Sequence, residues 1–159
     1  MSSHFKHFLE NLSPKRKLIF DLDKTLWNCT AEWEKNLNVE KMRNFINPET
    51  VEILKKLQAN GNSMNIASRS AISDDCKIYL AEFFHTIQFD EIHIFPTMGT
   101  KEEHIKKVYK GEPPTDFVMF DDVKPILRHL KHHYPECLGI WCQKPLTYKT
   151  FESMENYNP

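Results

Sequence analysis

Glycine is scarce in this chain, with only 4 in 159 residues, which disfavours a Gly-rich nucleotide-binding fold. No stretch approaches the ~20 apolar residues that a membrane helix needs. The opening residues Met1-Ser2-Ser3-His4-Phe5-Lys6-His7-Phe8 lack the apolar run of a signal peptide. Neither sign of charge is in excess: Lys and Arg number 21, Asp and Glu 22, for a formal net charge of -1. No global basic field therefore draws the protein toward nucleic acid or an anionic membrane. The 4 cysteines, Cys29, Cys76, Cys137 and Cys142, form no CxxC pair. They are expected as reduced thiols packed as small hydrophobes, in a cytoplasmic or alternatively nuclear protein. Internal repeats and low-complexity tracts are also missing.

What remains is an ordinary globular composition, 40% hydrophobic and 27% charged, with 11 Phe to fill a core. Residues 1–16 are expected to be an N-terminal leader with a short helix near His4 to Asn11, and residues 17–159 one domain. Apolar runs at Lys17 to Asp21, Met64 to Ala67, Glu91 to Phe95, Phe117 to Asp121 and Cys137 to Trp141 predict five strands. Helical segments alternate with them. Asn47-Pro48-Glu49 is a helix start, with an N-cap, a proline at the first helical position and an acid in the first turn. Val51, Leu54 and Leu57 form its apolar stripe, and Gly61 stands where it should stop. A helix from Ser73 to Phe84 offers Ile78, Leu80, Phe83 and Phe84 to the core. Further helices are expected over Lys101 to Tyr109, over Lys124 to His133, and after Thr147 with Phe151 and Met154. This alternation predicts an α/β fold: a three-layer, Rossmann-like, mostly parallel sheet with helices on both faces.

Several strands end in polar residues at what should be one edge of the sheet. Phe20-Asp21-Leu22-Asp23-Lys24-Thr25 leaves the first strand, Ser68-Arg69 the second, and Asp121-Asp122 the fourth. Open α/β proteins build sites at that edge. Two carboxylates about 4 Å apart repel by about 4 kcal/mol at an effective dielectric near 20. Three or four in one crevice must hold protons or collect a cation. Mg²⁺ suits them because it takes oxygen ligands and keeps waters and a substrate phosphate. No paired histidines or cysteines accompany these acids, so zinc and copper fit less well. The Ser68 hydroxyl with neighbouring amides, and Lys101 as a point charge, can receive phosphoryl oxygens.

These blocks resemble the haloacid dehalogenase superfamily of phosphohydrolases. Asp21-Leu22-Asp23-Lys24-Thr25-Leu26 looks like its DxDxT signature, and Ala67-Ser68-Arg69 like its second motif. Lys101 falls where its third-motif lysine would, and Asp121-Asp122 resembles its acidic fourth motif. With Trp27 included, the chain is most similar to the small eukaryotic magnesium-dependent phosphatases, over about Lys17 to Phe151. The resemblance implies a minimal fold without a large cap domain and a Mg²⁺-dependent phosphomonoesterase. Asp21 would be the nucleophile, giving an aspartyl-phosphate, and Asp23 the general acid and then base. Thr25 would position these acids and stand in the phosphate-binding set with Ser68, Arg69 through its amide, and Lys101. The metal set would be Asp21, Asp23 through its backbone carbonyl, Asp122 directly and Asp121 through a water.

Two positions depart from that pattern. Lys24 replaces an aromatic residue, and either adds positive charge at the site mouth or points outward. Asn28-Cys29-Thr30 lacks the expected proline-aromatic pattern, which bears on substrate preference. The connections leave no room for a cap, so the site should be open. It would accept a phosphoprotein of phosphotyrosine type or a bulky sugar phosphate, with the chain a monomer or weak dimer. Alternatives are a nucleic-acid end phosphatase, hinted at by Lys15-Arg16-Lys17 and Trp27, and a non-catalytic interaction module. Lys101 has a plainer alternative as part of a solvated face with Glu102, Glu103, Lys106 and Lys107. His129, His132 and His133 sit at helical spacings but are expected as a solvated face, since no acid or cysteine in the sequence pattern completes a metal site.

Overall fold

The computed structural model describes residues 2–96 and 99–152. Five parallel strands form one sheet in the order β3-β2-β1-β4-β5: β1 (Leu18–Phe20), β2 (Met64–Arg69), β3 (Phe89–Phe95), β4 (Val118–Asp121) and β5 (Leu138–Trp141). The helices are α1 (Ser3–Asn11), α2 (Val39–Met42), α3 (Pro48–Ala59), α4 (Ser73–Phe83), α5 (Lys101–Val108), α6 (Lys124–His133) and α7 (Tyr148–Glu152). The expected fold class is the observed one. Met154, expected on the last helix, lies outside the described residues.

Both faces of the sheet are covered, which is why its central strands read as unbroken apolar runs. Leu18, Phe20, Met64, Ile66, Val118 and Phe120 point to one side, where α1, α3, α4 and α7 pack. Phe20 stacks on Phe120 with ring centroids 4.5 Å apart. Ile19, Ala67 and Met119 point to the other side, against Ile105 and Val108 of α5 and Leu127 and Leu130 of α6. Alpha-helix α6 lies so close to the sheet that a Cβ on Gly139 would sit 3.3 Å from Leu127.

Local signals explain the element ends. The Asn47 side chain accepts from the Glu49 amide at 2.9 Å and Pro48 opens α3. Gly61, at φ +96°, takes the left-handed conformation just past that helix. Thr100 caps α5 by accepting from the Glu103 amide at 3.3 Å.

Two details differ from expectation. The expected leader holds α1, whose Phe5 and Phe8 are buried against Phe151 at centroid distances of 4.8 and 5.0 Å. These residues belong to the packed core. Ile78 is exposed, and Cys76 and Tyr79 face inward beside the expected Leu80. Residues 78 and 80 are two apart on a helix and cannot share one face.

Candidate active site

The strand order reverses at β1: the chain runs outward through β2 and β3, then crosses to place β4 on the other side. That reversal opens a crevice at the carboxyl ends of β1 and β4. Phe20 is in register with Ile66 on one side and Phe120 on the other. The Asp21 amide donates to the Phe120 carbonyl at 3.0 Å, which carries the ladder one residue further and sets Asp21 beside Asp121. After Asp21 the chain turns sharply. The Thr25 and Leu26 amides both donate to the Leu22 carbonyl, at 3.0 and 2.8 Å, and Lys24 takes φ +61° at the bend.

Asp21 is held from two elements. Ser68 Oγ, at the end of β2, donates to Asp21 Oδ1 at 2.9 Å. Lys101 Nζ, from the first residue of α5, lies 3.4 Å from Asp21 Oδ1 and 3.4 Å from Asp121 Oδ2, and donates to the Ala67 carbonyl at 3.0 Å. Asp121 Oδ1 accepts from the Val123 amide at 3.0 Å, and its buried Oδ2 is ion-paired with the Lys101 ammonium. The Asp122 carbonyl accepts from Trp141 Nε1 at 3.0 Å. One carboxylate oxygen from each of Asp21, Asp121 and Asp122 lies within 4.8 Å of the others. Asp23 turns to different partners: its Oδ1 accepts from Trp27 Nε1 at 2.8 Å and from the Ala31 amide at 3.1 Å.

Crowding and burial shift the protons of this site. Burial, then repulsion from Asp21, pushes the Asp121 carboxyl up to about 6. The same two causes push Asp122 up to about 8. Burial also raises Asp23, against the opposing hydrogen bonds from Trp27 and Ala31. Burial alone would lower Lys101, but the charges of Asp21 and Asp121 reverse this and hold it above the ordinary lysine value. His104, stacked on Phe95 at 4.1 Å, is pushed down to about 4 by burial and by Lys101. Three carboxylate oxygens gathered this closely form an all-oxygen set that fits a hard divalent cation of the Mg²⁺ type.

A cavity of about 380 Å³ opens over these groups, reached by Asp21, Asp23, Lys101, Asp121 and Asp122 from the sheet edge and α5. Lys24, Arg69, Trp33, His104 and Val123 complete much of its wall. A larger cavity of about 680 Å³ lies between the 28–49 and 144–149 segments, without a cluster of acids. The site chemistry is in the smaller one.

A family model described as Acid Phosphatase matches residues 14–158. The chain belongs to the Acid Phosphatase family. Among solved structures, the fold is similar to D,D-heptose 1.7-bisphosphate phosphatase from B. bronchiseptica, crystallised with magnesium and phosphate. The TM-score is 0.56 at 15% identity, over 86% of each chain. That likeness is one of fold. The comparison with curated proteins gives no match.

Asp21, Ser68, Lys101, Asp121 and Asp122 meet at this one crevice. Lys101 is buried at the site and is not part of a solvated face. Lys24 is exposed and lines the cavity mouth. One residue differs from its expected place. Thr25 is fully buried beneath the turn and does not line the cavity, so its hydroxyl cannot touch a substrate phosphate there. The Arg69 guanidinium is engaged by Glu32 Oε1 at 2.6 Å, while Glu32 Oε2 accepts from the Ala71 amide at 3.0 Å. The Asp23 carboxylate stands apart from the acid cluster.

Sequence reasoning missed Glu32, Trp33 and His104. His104 carried a signal, since it lies three residues after Lys101 and so shares its face of α5. Glu32 and Trp33 sit in a short 3-10 turn (Ala31–Trp33) that no periodicity announces. Among the described residues, no helix is long and apolar enough to cross a membrane.

Proposed function

We propose that this protein is a Mg²⁺-dependent phosphomonoesterase working through an aspartyl-phosphate on Asp21. The observation that carries the proposal is the meeting of Asp21 with Asp121, Asp122 and Lys101 at one crevice. The block from Asp21 to Trp27 supports a place with the magnesium-dependent phosphatases in particular.

Asp21 attacks phosphorus, and the ester P–O bond breaks as the Asp21–phosphorus bond forms. Asp23 gives its proton to the departing oxygen. Burial shifts Asp23 toward its protonated form, the form this step uses. Asp23 then takes a proton from water as the water oxygen bonds to phosphorus, and inorganic phosphate leaves Asp21 free. Ser68 and Lys101 hold the Asp21 carboxylate in place for the attack. Lys101 also offsets charge on the transferring group. Asp21, Asp121, Asp122 and the Asp23 carbonyl would hold Mg²⁺, which supplies charge neutralisation for the acids and the phosphoryl oxygens.

The mouth of the site supports an aromatic phosphate of phosphotyrosine type over a sugar phosphate. Trp33 is 77% exposed and Val123 39% exposed, and both line the cavity. Such apolar groups at an open rim suit an aryl leaving group. The test is hydrolysis of a generic aryl phosphate by wild type and Asp21→Asn, each with Mg²⁺ and with EDTA. Activity only in wild type with Mg²⁺ is expected. Equal rates for the two proteins, or indifference to EDTA, would overturn the proposal.

A further inference from the structure

Outside the lining of the crevice, a second constellation draws on two helices. Glu102 is the second residue of α5, immediately after Lys101. His129 and His133 are one turn apart on α6. Glu102 Oε1 contacts His129 Nε2 and lies 3.2 Å from His133 Nε2. The two imidazole rings have centroids 4.5 Å apart. One ligand atom from each of the three residues lies within 4.8 Å of the others.

The sequence offers the histidine pair without a third ligand. The fold supplies it by packing α5 against α6. Two imidazole nitrogens and one carboxylate oxygen are borderline donors, suited to zinc-class cations and poorly suited to Mg²⁺. Metal–ligand bonds of about 2.1 Å in a tetrahedral site set ligand atoms about 3.4 Å apart, close to the His133–Glu102 separation of 3.2 Å and wider than the His129–Glu102 contact, which an ion would open. The rings are 53% and 45% exposed, so an ion has a path in and water can fill the remaining position.

We propose that Glu102, His129 and His133 form a second divalent-metal site, selective for zinc-class ions and separate from the carboxylate site at Asp21, Asp121 and Asp122. An ion there ties the first turn of α5, which carries Lys101, to α6, which follows Asp122 in the chain. The site stands whether or not the crevice has phosphatase activity.

Equilibrium dialysis of the whole chain against Zn²⁺, in buffer saturated with Mg²⁺, tests this. Wild type and Asp122→Asn should each hold one Zn²⁺. Outer partners of metal ligands are worth about 10–100-fold in affinity, so His133→Ala or Glu102→Gln should weaken Zn²⁺ binding by at least about tenfold. Co²⁺ in place of Zn²⁺ should give visible absorption bands in wild type that vanish in His133→Ala. Unchanged Zn²⁺ binding by the His129→Ala/His133→Ala double variant, loss of it in Asp122→Asn, or no binding by wild type would each overturn the proposal.

Discussion

The Lys101 ammonium stands midway between two carboxylates, 3.4 Å from Asp21 and 3.4 Å from Asp121. At an effective dielectric near 20, each such contact is about 5 kcal/mol of Coulomb attraction before desolvation. Removing the ammonium leaves buried acids facing one another. Lys101→Met should therefore lower kcat/KM on an aryl phosphate by about 10²–10³-fold, the scale for losing one group that stabilises transition-state charge. Steady-state kinetics on the folded variant checks this. A variant within threefold of wild type, or about so, would assign Lys101 a merely structural role.

The acid pair makes stability depend on pH in a defined direction. In the folded chain without metal, Asp121 is raised to about 6 and Asp122 to about 8, from an ordinary value of 3.8. A carboxyl raised in this way binds its proton more tightly folded than unfolded. Stability is then full below about pH 4 for these groups and falls as pH rises through about 6 and then about 8. A bound cation substitutes for those protons. The rise in Tm on adding Mg²⁺ should be larger near pH 8 than near about pH 5, as thermal unfolding at the two pH values would report.

Trp33 separates substrate preference from folding. It is 77% exposed at the cavity rim, so Trp33→Ala should leave Tm nearly unchanged. If the ring receives an aryl leaving group, KM for an aryl phosphate should rise by about tenfold, equivalent to about 1.4 kcal/mol, while KM for a small alkyl phosphate holds. Parallel kinetics on the two substrates distinguishes these outcomes.

Phe5 separates folding from chemistry. It is fully buried and packs on Phe151 with ring centroids 4.8 Å apart. Phe5→Ala should destabilise the protein by about 3–5 kcal/mol in denaturant unfolding, while kcat at a permissive temperature holds.

The site was legible in the sequence because strand ends are. An apolar run that stops at an acid places that acid at the sheet edge, and parallel alternation sends Asp21, Ser68 and Asp121 to the same edge. Lys101 was legible as a candidate phosphate-neutralising charge, but only the resemblance gave it a definite place, because a charged helix start looks the same in solvent or over a crevice. The packing of α1 was not legible. Phe5 and Phe8 lie three apart on a short polar helix, and nothing local names their partner Phe151. Nor was the Glu32–Arg69 pair, which depends on where an irregular turn falls in space. The Glu102–His129–His133 group escaped for a related reason: its halves lie on different helices, and only tertiary packing joins them.

The central claim is that the Asp21 side chain becomes phosphorylated during turnover. Rapid acid quench of the enzyme with an aryl phosphate and Mg²⁺, followed by peptide mass spectrometry, tests it directly. The account predicts the mass of one phosphoryl group on the peptide containing Asp21, lost on treatment with hydroxylamine and absent from Asp21→Asn. Turnover with phosphate found on another residue, or an Asp21→Asn enzyme that still turns over, would contradict it.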